Sequence, residues 1–316
     1  MYFLGVDGGG TKTSFVLSDE KGGIRGRFSS GGSNFIRRSK TEVAEVVNNG
    51  IAQVCANAGI SKADIAYGVL GFPGYGETRS SAQELDAICA GALSPDTFTC
   101  VSDSVIAWAG SLAMRPGINV IAGTGSIVFG MDSRGNSART SGWGAYCDEG
   151  SCQWFGNKAV GIFTKQADGG LPRTPLYDII KEYFKLEEDL YFCHILNSEL
   201  VGQSSSLAEL QLLVEKAYDL GDPHARALYE QAAEELWLAI ETAAKKLEFN
   251  GEKYFVSYSG GLFKSGGRIL APLRRKAKNR PAIFEEPKFT PDLGAVLMSM
   301  KLARAPVDFS SISFAG

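Results

Sequence analysis

Short apolar runs broken by small-residue turns open the chain: Phe3-Leu4-Gly5-Val6, then Phe15-Val16-Leu17. This pattern predicts a three-strand meander over residues 2–32, with Glu20-Lys21-Gly22-Gly23 as its second turn. Val43, Val46, Val47, Ile51 and Val54 recur at helical spacing and predict a helix over 41–58, capped by Thr41. Ile65 to Phe72 reads as a buried strand and 80–90 as a helix. Phe98-Thr99-Cys100-Val101 reads as a strand that ends at Ser102-Asp103-Ser104, with a helix from about Val105. Met114-Arg115-Pro116-Gly117 interrupts the pattern and marks the domain boundary.

The second half opens on another hairpin, over 118–141. Helices are predicted at 157–167 and 176–185, and a helical stretch at 206–248 is broken at Gly221-Asp222-Pro223. Val256 to Tyr258 reads as a short strand before Ser259-Gly260-Gly261. A helix at 267–278, a strand at 282–285 and a helix at 292–304 follow, and 305–316 reads as a weakly ordered tail. The expectation is two α/β domains, 1–115 and 116–291, each seeded by a hairpin, with the ligand in the cleft between them.

The two hairpins are related. Gly10-Thr11 recurs as Gly123-Thr124, Thr13 as Ser126, and Asp19-Glu20-Lys21-Gly22 as Asp132-Ser133-Arg134-Gly135. Each copy runs strand, glycine turn, strand, D-x-(K/R)-G turn. Backbone N–H groups in such turns form anion-binding nests, and glycine lets a phosphate approach closely. A P-loop is excluded, because Thr11 stands where the motif requires Lys and a strand follows. The dinucleotide fingerprint also fails, since Thr13 replaces its last glycine.

Composition narrows the class. The chain has 316 residues, 44% hydrophobic and 21% charged, enough for two domains with a large core. A net charge of -3 argues against a nucleic-acid partner. No apolar run reaches membrane-spanning length, and Met1-Tyr2-Phe3-Leu4-Gly5 enters a strand directly. The expectation is therefore a cytoplasmic protein without a membrane partner. Cysteines at 55, 89, 100, 147, 152 and 193 form no C-x-x-C, and His194 and His224 are the two histidines, so a structural zinc site is not expected.

Candidate chemistry gathers at the turns. Asp103 ends a strand, where ligands collect in α/β sheets; it either caps the next helix or takes a proton from an attacking hydroxyl. Gly123-Thr124-Gly125-Ser126 suits the β- and γ-phosphates of a nucleotide, with Asp7 as the carboxylate for Mg²⁺, directly or through water. Lys12 either adds a positive charge there or is a solvated hairpin lysine. Gly142-Trp143-Gly144 and Asp148-Glu149-Gly150-Ser151 join an aromatic face to carboxylates, which suits a sugar ring; a core Trp and a helix-capping Asp are the plainer alternative. Asn34 offers donors and acceptors after a glycine pair, and Gly260-Gly261 would let a flat adenine approach the backbone.

In order and together, these motifs resemble the N-acetylglucosamine kinase branch of the BadF/BadG-type ATPases, in the sugar kinase/Hsp70/actin superfamily. The resemblance runs from Met1 to about Ala303. Asp7 to Thr13, including Gly9, Gly10, Thr11 and Lys12, is similar to the first phosphate motif. Ile121 to Ser126, with Thr124 and Gly125, is similar to the second. Ser259-Gly260-Gly261 is similar to the adenosine motif, Ser102-Asp103 to the catalytic aspartate's position, and Gly142-Trp143-Gly144 with Asp148 to the sugar signature. The resemblance implies a duplicated, actin-like (ribonuclease H-like) α/β fold, use of ATP and Mg²⁺, and Asn34, Asp103, Trp143 and Asp148 around an amino sugar. It also implies that the last helix packs back on the first domain, and a homodimer. Two departures stand out: the Trp143–Asp148 loop is one glycine shorter than usual, and Ala145 replaces a His or bulky residue.

The implied activity is ATP-dependent phosphorylation of the primary hydroxyl of N-acetylglucosamine, N-acetylmuramate or glucosamine, with Asp103 as base. A second reading is an ATPase activator of a CoA-thioester dehydratase or reductase, with an iron–sulfur cluster on Cys147 and Cys152. A third is a nucleotide-dependent filament or binding module, which leaves Asp103 and the Trp143 loop unexplained.

Overall fold

The chain folds as two α/β units, one built from Met1–Asn119 and Glu286–Gly316, the other from Val120–Glu285. The computed structural model describes every residue except Ile36, Ala145, Asn250, Ser310 and Gly316. The first unit begins β1 (Tyr2–Gly8), β2 (Lys12–Asp19), β3 (Ile24–Gly31), α1 (Lys40–Ala58), β4 (Ile65–Phe72), α2 (Arg79–Ala90), β5 (Phe98–Ser102) and α3 (Asp103–Leu112). Strand β6 (Gly117–Ala122) leads into β7 (Ser126–Met131), β8 (Ser137–Ser141), α4 (Cys152–Ala167), α5 (Pro175–Tyr183) and the single turn α6 (Phe192–Ile195). Helices α7 (Ser204–Asp219) and α8 (Pro223–Lys246), strand β9 (Tyr254–Ser259), helix α9 (Gly267–Ala277) and strand β10 (Ala282–Phe284) complete the second unit. Helix α10 (Pro291–Leu302) belongs to the first unit again.

Each unit holds a five-stranded sheet, β3-β2-β1-β4-β5 and β10-β9-β6-β7-β8. Counted from its leading strand, the second order repeats the first. The repeat reaches single atoms. Asp19 Oδ1 accepts from the N–H of Lys21 and Gly23, each at 2.9 Å, and Asp132 Oδ1 accepts from Arg134 and Asn136, each at 2.9 Å. Gly22 and Gly135 take the same left-handed conformation, φ 84° and 86°.

In the first unit β1 pairs antiparallel with β2 and parallel with β4, which pairs parallel with β5. The carboxyl ends of β1, β4 and β5 therefore share one edge. Strand alternation divides the side chains between two faces. Leu4, Val6, Phe15, Leu17, Leu70 and Phe72 pack against Val43, Val47, Ile51 and Val54 of α1. Phe3 and Val16, on the other face, pack against Leu293, Val296 and Met300 of α10. Helix α10 also crosses α3 at glycines: a Cβ on Gly294 would lie 2.2 Å from the Ile106 carbonyl oxygen, and one on Gly110 would lie 2.4 Å from that of Thr290.

Several boundaries differ from the sequence expectation. Helix α1 starts one residue early, because Ser39 caps it and Glu42 completes a capping box; Thr41 lies inside. Helix α4 begins at Cys152 and not at 157, with the Ser151 side chain accepting from the Trp154 N–H. Polar Gln153, Asn157 and Lys158 blur the apolar period there. In place of a weakly ordered tail, the described residues after Ala305 lie along the first unit. The Ile24 N–H donates to the Ala315 carbonyl at 2.8 Å, and Val307, Phe309, Ile312 and Phe314 pack on the Phe3–Val16–Leu293 cluster. Among the described residues no helix is long and apolar enough to cross a membrane.

Candidate functional site

At the shared strand edge of the first unit, backbone segments press together at glycines. A Cβ on Gly8 would lie 2.6 Å from Ser33 Oγ and 2.8 Å from the Gly71 carbonyl oxygen; one on Gly32 would lie 2.1 Å from the Gly10 carbonyl oxygen. The Ser33 N–H donates to the Gly9 carbonyl at 2.9 Å, and the buried Thr13 hydroxyl donates to the Gly31 carbonyl at 2.8 Å. Thr13 thus fastens the loop that leads to Asn34, whose own carbonyl accepts from the N–H of Arg37 and Arg38. Gly10 has open space where a side chain would be, and Gly10, Thr11 and Lys12 are exposed. The turn is rigid behind and open in front.

Asp103 is the first residue of α3. Ser102 caps that helix, and Asp103 Oδ1 accepts from the Ser102 hydroxyl at 3.1 Å and the Ser104 N–H at 2.8 Å. The capping alternative is therefore answered in part: Ser102 is the cap and Asp103 supports it. Asp7, at the end of β1, has its carboxyl pushed up to about 7. Burial is the main cause, followed by the charges of Asp103 and Asp292, with Lys12 opposing. Such a carboxyl has more negative charge around it than positive, a setting that a cation relieves. Among the described residues no three His, Cys, Asp or Glu side chains are grouped to hold a metal. As a single buried carboxyl in that setting, Asp7 would fit Mg²⁺, which would supply positive charge there.

In the second unit the turn after β6 is seated on the start of α4. The N–H groups of Cys152 and Gln153 donate to the carbonyls of Gly123 and Thr124 at 2.8 and 3.3 Å. The Ser126 hydroxyl is 2% exposed and donates to the Glu149 carbonyl at 2.8 Å, so the exposed Thr124 carries this turn's accessible hydroxyl. Asp148 Oδ1 accepts from the N–H of Trp143 and Gly144 at 2.8 and 3.0 Å, while a Cβ on Gly125 would lie 2.6 Å from its Oδ2. Its carboxyl is raised, chiefly by burial, against the pull of those N–H groups. Asp148 thereby ties the Trp143 loop to the glycine turn. Trp143 is 82% exposed, so it is not a core tryptophan. Its loop borders a cavity of about 450 Å³, whose far wall includes Glu235 and Leu238 of α8. Gly260, at φ 103°, presses on the end of β6, since a Cβ there would lie 2.3 Å from the Ala122 carbonyl oxygen. Gly261 beside it is open.

The predicted residues thus form two groups. Asp7, Gly9, Gly10, Thr11, Lys12, Asn34 and Asp103 belong to the first unit; Thr124, Gly125, Ser126, Gly142, Trp143, Asp148, Gly260 and Gly261 belong to the second. Ala145 lies outside the described residues. For the iron–sulfur reading, Cys147 is exposed on the loop whereas Cys152 is buried in the first turn of α4. Their thiols are not presented together. Sequence reasoning missed Asp292, which the structure places beside Asp7; its local signal, Thr290-Pro291-Asp292, reads only as a helix start.

Known proteins match along nearly the whole chain. An N-acetylmuramic acid/N-acetylglucosamine kinase of Clostridium acetobutylicum is 31% identical over 277 residues, 87% of this chain and 89% of that protein. An N-acetyl-D-glucosamine kinase of Dictyostelium discoideum is 26% identical over 94% of this chain and 97% of its own length. Among solved structures, a putative N-acetylglucosamine kinase from Chromobacterium violaceum superposes with a TM-score of 0.78 at 26% identity, covering 94% of this chain and 98% of that one. With residues 4–299 matching its sequence profile, this chain belongs to the BadF/BadG/BcrA/BcrD ATPase family.

Proposed function

We propose that this protein is an ATP-dependent kinase that phosphorylates the primary hydroxyl of an amino sugar, most simply N-acetylglucosamine. The observation that carries the reading is Asp103 at the carboxyl edge of β5, in the electrostatic neighbourhood of Asp7 and on the same strand edge as an open glycine turn. The substrate class is supported by the amino sugars in the names of relatives that align over most of the chain.

Asp103 takes the proton from the sugar hydroxyl as its oxygen bonds to the γ-phosphorus and ADP leaves. The open turn at Gly10-Thr11 and the turn at Thr124-Gly125, with Thr124 exposed, give N–H and hydroxyl donors to phosphate oxygens. Lys12 adds positive charge, and Gly261 leaves room for the nucleoside. Asn34, Gly142, Trp143 and Asp148 make up the sugar's surroundings, with the Trp143 ring as an apolar platform. Mg²⁺ at Asp7 would neutralise phosphate charge.

The test is ADP release with Mg-ATP against separate hexoses and amino sugars, run beside Asp103→Asn. Turnover with an N-acetylated amino sugar, lowered roughly 10²-fold or more in the variant, is the expected result. ADP release that ignores sugars would refute the reading.

A further inference from the structure

We infer that Asp292 is a positioning residue for Asp7, fixing its surroundings through Ser14 and adding a second negative charge that strengthens divalent-cation binding. The inference rests on the proposal that Asp7 receives the cation.

Strand alternation puts Gly5 and Asp7 on the same face of β1. That face meets the first turn of α10 so closely that a Cβ on Gly5 would lie 2.2 Å from the Asp292 carbonyl oxygen. Ser14 stands directly across from Asp7 in the β1–β2 ladder, so the two side chains share a face. The Ser14 hydroxyl donates to Asp292 Oδ2 at 2.8 Å. A carboxylate from the far end of the chain therefore holds the cross-strand neighbour of Asp7.

The two oxygens of Asp292 have separate tasks. Oδ1 accepts from the Leu293 N–H at 2.9 Å and from the Thr290 hydroxyl, both at the start of α10. Oδ2 turns to the sheet, to Ser14 and, at 3.4 Å, to the half-exposed Arg27. Starting the helix requires the Oδ1 contacts alone. The Oδ2 contacts place a charge, only 6% exposed, where it acts on Asp7 together with Asp103 and against Lys12. In such a poorly solvated place a unit charge several ångströms from a divalent cation is screened less than at the surface.

The experiment measures Mn²⁺ affinity by water-proton relaxation in the ADP-saturated full-length protein at pH 8, with Tm recorded for each variant. Asp292→Asn keeps the shape and removes the charge; the expected result is Mn²⁺ binding weakened ~3–10-fold. Ser14→Ala weakens it in the same direction, and it decides the matter if Asp292→Asn does not fold. Arg27→Gln removes the opposing charge and tightens binding; weakening there would overturn the electrostatic argument. Loss of Tm with Mn²⁺ affinity unchanged in both Asp292→Asn and Ser14→Ala would reduce Asp292 to a support for the first turn of α10 and overturn the inference. Asp7→Asn separates the two claims. If it abolishes binding while Asp292→Asn and Ser14→Ala are neutral, the inference alone falls; if it too is neutral, the cation assignment falls with it.

Discussion

Asp7 shows how a single carboxyl carries a conflict between stability and use. Its folded value of about 7 stands above the ordinary 3.8, so the native chain holds this proton more tightly than the unfolded chain does. The stabilising effect of that proton is fully present below the ordinary value and is lost as pH rises towards 7. The ligand-free protein is therefore strained at neutral pH by an ionised Asp7. Asp7→Asn should raise Tm at pH 8 by ~2–4 °C for each kcal/mol gained, with the difference shrinking as pH falls from 7 and vanishing only below the ordinary value of 3.8; calorimetry across that range checks it. No gain at pH 8 would mean that Asp7 has compensation not accounted for by Lys12. Asp7, Asp103 and the glycine turn were legible in the sequence because each belongs to a local motif. Asp292 was not, because its contact with Ser14 joins positions 278 residues apart.

The helices and hairpins were legible where one period dominates. Leu4, Val6, Phe15 and Leu17 alternate cleanly, and both D-x-(K/R)-G turns formed where the repeat placed them. The start of α4 was not legible, because its first turns mix polar residues with buried Trp154 and Phe155. Glycines at helix crossings were also hidden, since only the partner helix shows why they are small. Gly294→Ala would drive a methyl to 2.2 Å from the Ile106 carbonyl oxygen and should cost about 1–3 kcal/mol in urea unfolding. Gly10→Ala is the contrast. Its side-chain position is open, so stability should hold while the KM for ATP rises, by roughly fivefold for each ~1 kcal/mol of lost phosphate contact. Equal losses of stability in the two variants would contradict this division between a packing glycine and a ligand-facing one.

Taken whole, the chain repeats one sheet order twice, yet the first unit is finished by residues from its far end. The tail closes that face: Val307, Phe309, Ile312 and Phe314 cover the cluster of Phe3, Val16, Leu293 and Val296. Deleting 305–316 should therefore lower stability by about 2–4 kcal/mol, measured by denaturant unfolding, since several apolar side chains lose their cover. This role was not legible in the sequence, because Val307, Phe309, Ile312 and Phe314 are spaced among polar residues with no sustained helical or strand period. During synthesis the consequence is one of timing. Met1–Asn119 leave the ribosome without the helix that covers Phe3 and Val16, and must wait while Val120–Glu285 are translated. At ordinary rates of ~5–20 residues per second that delay is roughly 10–30 s, and at its end the second unit has all of its own chain while the first still lacks Glu286–Gly316. A chain cut short between Asn119 and Pro291 would keep the strands of the first unit but lack the helix and tail that cover Phe3 and Val16.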